Sequence, residues 1–205
     1  MTTKHYFDYG EKELEYLKRK DKKLGALIDE LGYLKREVSP DIFAALVESV
    51  IAQQISDKAA TAIHGRLKAM TEIDAVKIKK ASVDDIQKCG LSARKAEYIK
   101  NIAEAVISKE VDADKMRTMS NGEITEKLTA IKGVGVWTAE MMLIFSFGRP
   151  DVISYGDLGI RRNMMKLYGI KSLPKDKFSY YAKRYSPYAT IASFYLWAMT
   201  DERIL

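Results

Sequence analysis

Leu128 to Phe145 reads LTAIKGVGVWTAEMMLIF, with Gly133-Val134-Gly135 between two helix-like runs. Two glycines around one apolar residue predict a helix–hairpin–helix, because positive φ costs glycine little and another backbone can come close. The second helix then turns its unpaired N–H groups and positive dipole end outwards, an arrangement that suits a phosphate oxygen. A tight helix–helix turn would use the same residues. Asp157 stands 22 positions beyond Gly135, after the loop SFGRPDVISYG and before an apolar-periodic stretch. By type it can start a helix or work as an acid, base or electrostatic stabiliser. Other chemistry is scarce. Cys89 is the single cysteine, and His5 and His64 are the only histidines. This excludes a disulfide framework, a four-cysteine iron–sulfur cluster and a cysteine zinc site within one chain.

The elements that must position these residues read as helices. Ser39 as N-cap and Pro40 at the first helical position predict a helix carrying Ile42, Phe43, Leu46, Val47, Val50 and Ile51 on one stripe. Ser56 opens another, with Ile63, Leu67 and Met70. Ser82 with Asp85, and Ser120 with Glu123, form capping-box patterns, and Ser92 caps a helix bearing Ala96, Ile99, Ala103 and Val106. One helix is expected around Glu11–Lys20, one after Gly156 to about Tyr168, and one from Pro187 to Thr200. Val152–Tyr155 is the only strand-like run and reads as loop. The fold class is all-α.

The 205 residues compare with roughly 100–200 per domain, which predicts a single unit of two packed helical lobes. About 40–150 forms the central lobe with the hairpin at 128–145, and about 1–39 plus 151–205 forms the second. A cleft between them is the expected ligand site. No apolar run approaches the ~18 residues of a membrane span, and the N-terminus lacks the apolar stretch of a signal peptide, so an intracellular protein without a membrane partner is expected. The net charge of +6 favours a polyanionic partner. Its basic residues recur in Lys18–Lys23, Lys77–Lys80, Arg161–Lys166 and Lys171–Arg184, a spread that suits a folded surface tracking a phosphate backbone.

Hairpin and aspartate at this spacing resemble the helix-hairpin-helix DNA glycosylase superfamily, with 3-methyladenine DNA glycosylase II as the nearest branch. FAALVESVIAQQIS (43–56), GLSARKAEYIKNIA (90–103) and SFYLWAM (193–199) extend the likeness over roughly 40–200. The chain is too short for the extra N-terminal β-rich domain of the bacterial inducible members. The resemblance implies a monomeric base-excision-repair enzyme, cytoplasmic or nucleoid-associated, acting on damaged double-stranded DNA. It hydrolyses the N-glycosidic bond of a flipped alkylated purine such as 3-methyladenine. Alternatives are a glycosylase of this fold for oxidised or mismatched bases and a non-catalytic DNA-binding module.

The resemblance also implies roles. Asp157 is the catalytic carboxylate. Trp137 stands where bifunctional members carry a Schiff-base lysine, so a lyase step is not expected. Trp137, Trp197, Tyr155 and Met141 are candidate base-pocket residues, with Met141 replacing an aromatic found in some relatives. Lys132, Gly133, Val134, Gly135 and Thr138 are expected to anchor the phosphodiester, and Gln53, Gln54 and Arg161 to approach DNA. No cofactor is required. The backbone carbonyls of Thr129, Ile131 and Val134 match positions that hold Na+ or K+ in resembling proteins.

Overall fold

The computed structural model describes residues 4–199. Along the chain come β1 (His5–Tyr6), α1 (Glu11–Lys20), α2 (Lys22–Leu31) and β2 (Glu37–Val38). Then follow α3 (Ile42–Ala52), α4 (Asp57–Thr71), α5 (Ala75–Lys80), α6 (Val83–Lys88), α7 (Ala93–Ile107), α8 (Ala113–Arg117), α9 (Asn121–Ala130) and α10 (Val136–Phe145). The last are α11 (Leu158–Tyr168), α12 (Lys175–Tyr185) and α13 (Ala189–Ala198). Among the described residues the protein is all-α apart from one two-residue antiparallel pairing, His5 with Val38 and Tyr6 with Glu37. It divides into two compact units, Ser39–Met142 and the split unit Met1–Val38 with Leu143–Leu205.

In the Ser39–Met142 unit, polar side chains start most helices. Ser56, Ser82, Ser92 and Ser120 each accept an N–H from the first turn of the helix that follows, and Ser120 with Glu123 closes a full capping box. The expected Ser39 cap is replaced by Asp41, whose carboxylate accepts the Ala44 N–H at 3.0 Å. Ser39 precedes Pro40, which biases it to extended backbone, and β2 ends just before it. The α3 stripe of Ile42, Phe43, Leu46, Val47, Val50 and Ile51 is buried and packs against α7. Ile63 and Leu67 of α4 are buried, whereas Met70 is exposed.

The split unit is built around α13, whose residues are buried on nearly every side from Ala189 to Leu196. Such a helix belongs in the middle of a core. The expected end of this helix at Thr200 lies outside the described residues. Asn163 of α11 donates to the Leu196 carbonyl at 2.7 Å, and Tyr195 donates to that of Gly32 at 2.8 Å.

The Asp21 side chain joins three helices, α2, α11 and α12. Only 2% exposed, its Oδ1 accepts the N–H groups of Lys23 and Leu24. Its Oδ2 accepts from the Tyr168 hydroxyl at 2.7 Å and faces the Arg184 guanidinium at 3.3 Å. Asp21→Asn would set an amide N–H2 or a lone oxygen against donors it cannot all satisfy. A loss of about 2–4 kcal/mol is expected, read as a lowered urea midpoint with unchanged m.

Candidate active site and hairpin

The hairpin forms where the glycines stand. Helix α9 stops at Ala130, the Ile131 carbonyl accepts the Val134 N–H at 3.0 Å, and α10 begins at Val136. The two glycines do different things. Gly133 has φ +107°, and a Cβ there would stand 2.3 Å from the Tyr98 ring. Gly135 lacks positive φ and has open space where a side chain would go. The first permits the turn; the second leaves the outer edge of the hairpin bare.

Around this turn Lys132 is exposed and Val134 buried. Thr138 is only 3% exposed, and its hydroxyl accepts from Ser49 at 3.2 Å. Its side chain therefore fastens α10 to α3. Gln53 donates to the Gly133 carbonyl at 3.4 Å, tying the end of α3 to the hairpin. Gln54 is exposed with φ +59°, unusual for a residue carrying a side chain.

Gln53, Gln54 and Trp137 line one cavity of about 740 Å³, together with Ser49, Arg94, Lys95 and Tyr98. Trp137 is 41% exposed, while Met141 lies buried one helical turn further on. Lys95 was not foreseen. Its ammonium donates to the carbonyls of Ile51 and Gln53 at 2.8 and 2.6 Å, closing the end of α3, and burial pushes its pKa down. Only the fold brings Lys95 to that helix end, so no local sequence signal marks it.

The split unit holds the other predicted residues. Asp157 caps α11, its Oδ1 accepting the Ile160 N–H at 2.8 Å. A Cβ at Gly159 would stand 3.2 Å from that oxygen and 3.6 Å from Trp197 Cδ1, so the carboxylate and the indole edge border the same bare backbone. Trp197 stacks on Phe145 with ring centroids 5.8 Å apart. Tyr155 packs edge-on against Phe178, and the Arg161 guanidinium lies over the Tyr155 ring at 5.0 Å. Arg161 Nε is buried without an acceptor.

Two helices joined by a glycine turn, followed by a helix capped by an aspartate, define a helix-hairpin-helix protein of the DNA-repair kind. Residues 47–187 match the HhH-GPD superfamily of base excision DNA repair proteins, and the chain belongs to that family. It is 36% identical over 161 residues to DNA-3-methyladenine glycosylase 1 of Schizosaccharomyces pombe, covering 76% of this chain and 71% of that protein. A DNA-3-methyladenine glycosidase structure from Bacillus halodurans superposes with TM-score 0.85 at 34% identity, covering 98% of this chain and 94% of the other. The S. pombe 3-methyladenine DNA glycosylase in complex with abasic DNA gives 0.83 at 31%, covering 95% and 98%.

The two glycines should separate experimentally. Gly133→Ala forces both a disfavoured φ and a clash, so a loss of about 1–3 kcal/mol or more is expected in urea unfolding. Gly135→Ala should change stability by less than about 0.5 kcal/mol. Equal losses at both positions would contradict this division.

Proposed function

We propose that this protein is a monofunctional DNA glycosylase that hydrolyses the N-glycosidic bond of alkylated purines, 3-methyladenine among them, in double-stranded DNA. The observation that carries the reading is Asp157, a carboxylate fixed on the first turn of α11 beside the Trp197 indole edge. Leaving of the base builds oxocarbenium character on the deoxyribose, as in glycoside hydrolysis. The Asp157 charge stabilises that cation and orients the attacking water. The bond between C1′ and the base nitrogen breaks, and its electron pair leaves with the base. Water oxygen bonds to C1′, and the water proton passes to the carboxylate or solvent.

One carboxylate suffices because an N-alkylated purine is already cationic and takes the electron pair readily. Aromatic faces favour the same cationic base, by ~0.5–2 kcal/mol each when well placed. We assign Trp137 to the base as such a face, with Met141 one turn further along α10, and in the split unit Trp197 and Tyr155. Trp137 cannot form a Schiff base, which supports a hydrolytic outcome.

The hairpin is the phosphate anchor. Gly135 leaves the N-terminus of α10 uncovered, and Lys132 stands exposed beside it. Gln53, Gln54 and Arg161 are the further groups assigned to DNA. The Thr129 carbonyl lies in the last turn of α9, where intrahelical partners run out, and Ile131 keeps a second lone pair. With the Val134 carbonyl these hard oxygens fit Na+ or K+. A bound cation would add positive charge between the hairpin and a phosphate. The reaction itself needs no cofactor. Among the described residues no helix is long and apolar enough to cross a membrane. We place the protein, as a monomer, with the chromosomal DNA of the cell.

Asp157→Asn keeps the side-chain shape and an acceptor for Ile160 while removing the charge. Base release from methylated duplex should fall about 10²–10⁴-fold with DNA affinity retained. Near-normal release would remove Asp157 from the chemistry. A bulky residue at Gly135, where the fold has room for it, should weaken binding to damaged and undamaged duplexes alike. Intact binding would make the hairpin a structural turn only.

A further inference from the structure

The split unit carries a second cavity, of about 480 Å³, lined by Arg19, Lys20, Lys22, Lys23 and Arg184 around Asp21 and the rings of Tyr168 and Tyr181. Five cations face one carboxylate, and that carboxylate is already satisfied by two backbone N–H groups, the Tyr168 hydroxyl and Arg184. Arg184 is held rigidly. It pairs with Asp21, donates to the Lys20 carbonyl at 3.5 Å and lies over the rings of Tyr180 and Tyr181 at 5.7 and 5.9 Å.

The other four cations are exposed, and none reaches a carboxylate among the described residues. Their neighbour Lys18 behaves differently, being taken by Glu15 and Asp29. Lys23 donates to the Tyr168 carbonyl at 3.2 Å and Lys20 lies over the Tyr16 ring. Neither contact brings a negative charge to offset the mutual repulsion of these four cations and Arg184, which an anionic ligand would relieve.

Its location separates this cavity from the chemistry. Tyr168 ends α11 and Asp157 caps the start, so the 11 residues of the helix put about 16 Å of axis between them. We propose that this basic cavity is a second phosphate-backbone contact, which binds DNA away from the nucleotide engaged at Asp157 and holds the protein on undamaged duplex. The choice of DNA rests on the glycosylase reading above. It is favoured over an acidic peptide because the lining is basic apart from Asp21 and two tyrosines, and the net charge of +6 suits an extended polyanion. Lysines and a fixed arginine spread over several elements instead match a run of phosphates.

The test is the variant Arg19→Gln, Lys20→Gln, Lys22→Gln, Lys23→Gln, which leaves Asp21, Tyr168 and Arg184 in place. Binding to a long undamaged duplex is measured across a salt series, beside single-turnover excision from a short lesion duplex at saturating protein. The slope of log affinity against log salt should become shallower by about 2–4, with the excision rate unchanged. An unchanged slope would overturn the proposal. So would binding of a polyglutamate peptide by the parent but not the variant with DNA affinity intact, which would point to a protein partner. If neither protein excised any lesion, the glycosylase reading would fail while the slopes still decided this one.

Discussion

The hydrogen bond from the Ile160 N–H to Asp157 Oδ1, 2.8 Å long, starts α11 and also fixes where the carboxylate points. A capping bond of this kind contributes about 0.5–2 kcal/mol, and losing it would loosen the helix at its first turn. The same helix buries Ile160, Asn163 and Met164 and packs on α13 and α2. Orientation of the carboxylate is therefore secured by a helix that the core of the unit holds in place. Gly159 keeps the space beside it bare, since a Cβ there would press on the carboxylate at 3.2 Å.

The hairpin answers a different constraint. Tyr98 lies so close to Gly133 that only a hydrogen fits, and Gln53, Lys95 and Thr138 bind the surrounding helix ends into one unit. In the proposed role of the hairpin, rigid backbone N–H groups need no reorganisation when a phosphate arrives. Positive charge in the protein thus falls to fixed dipoles and lysines around the backbone contact, while the assigned chemistry falls to a single negative charge.

Much of this was legible in the residues because helix starts are chemically marked. Ser56, Ser82, Ser92 and Ser120 each cap as expected, and so does the start of α11. A cap alone does not make a helix legible: Asp21 caps α2, yet that helix was not foreseen. Helix α2 contains Gly25, a poor helix former, which sits there because a Cβ would come within 3.1 Å of the Lys18 Cα. Helix α12 is mostly polar and buries only Phe178 and Tyr185, so it shows as a basic stretch instead of an apolar stripe. The hairpin and Asp157 could be read locally. Tyr98, Lys95 and the Ser49–Thr138 bond could not, because each joins residues more than thirty positions apart in sequence.

The central claim, hydrolytic release of a cationic base by one carboxylate, is tested most directly by the products. A duplex carrying N-methylated purines is incubated with the protein, released bases are resolved by chromatography, and strand length is read before and after alkali. The account predicts free 3-methyladenine or 7-methylguanine from an intact strand that breaks only on alkali treatment. Strand cleavage during turnover with a borohydride-trapped protein–DNA adduct would contradict it. So would efficient release of oxidised guanine with no release of methylated purines.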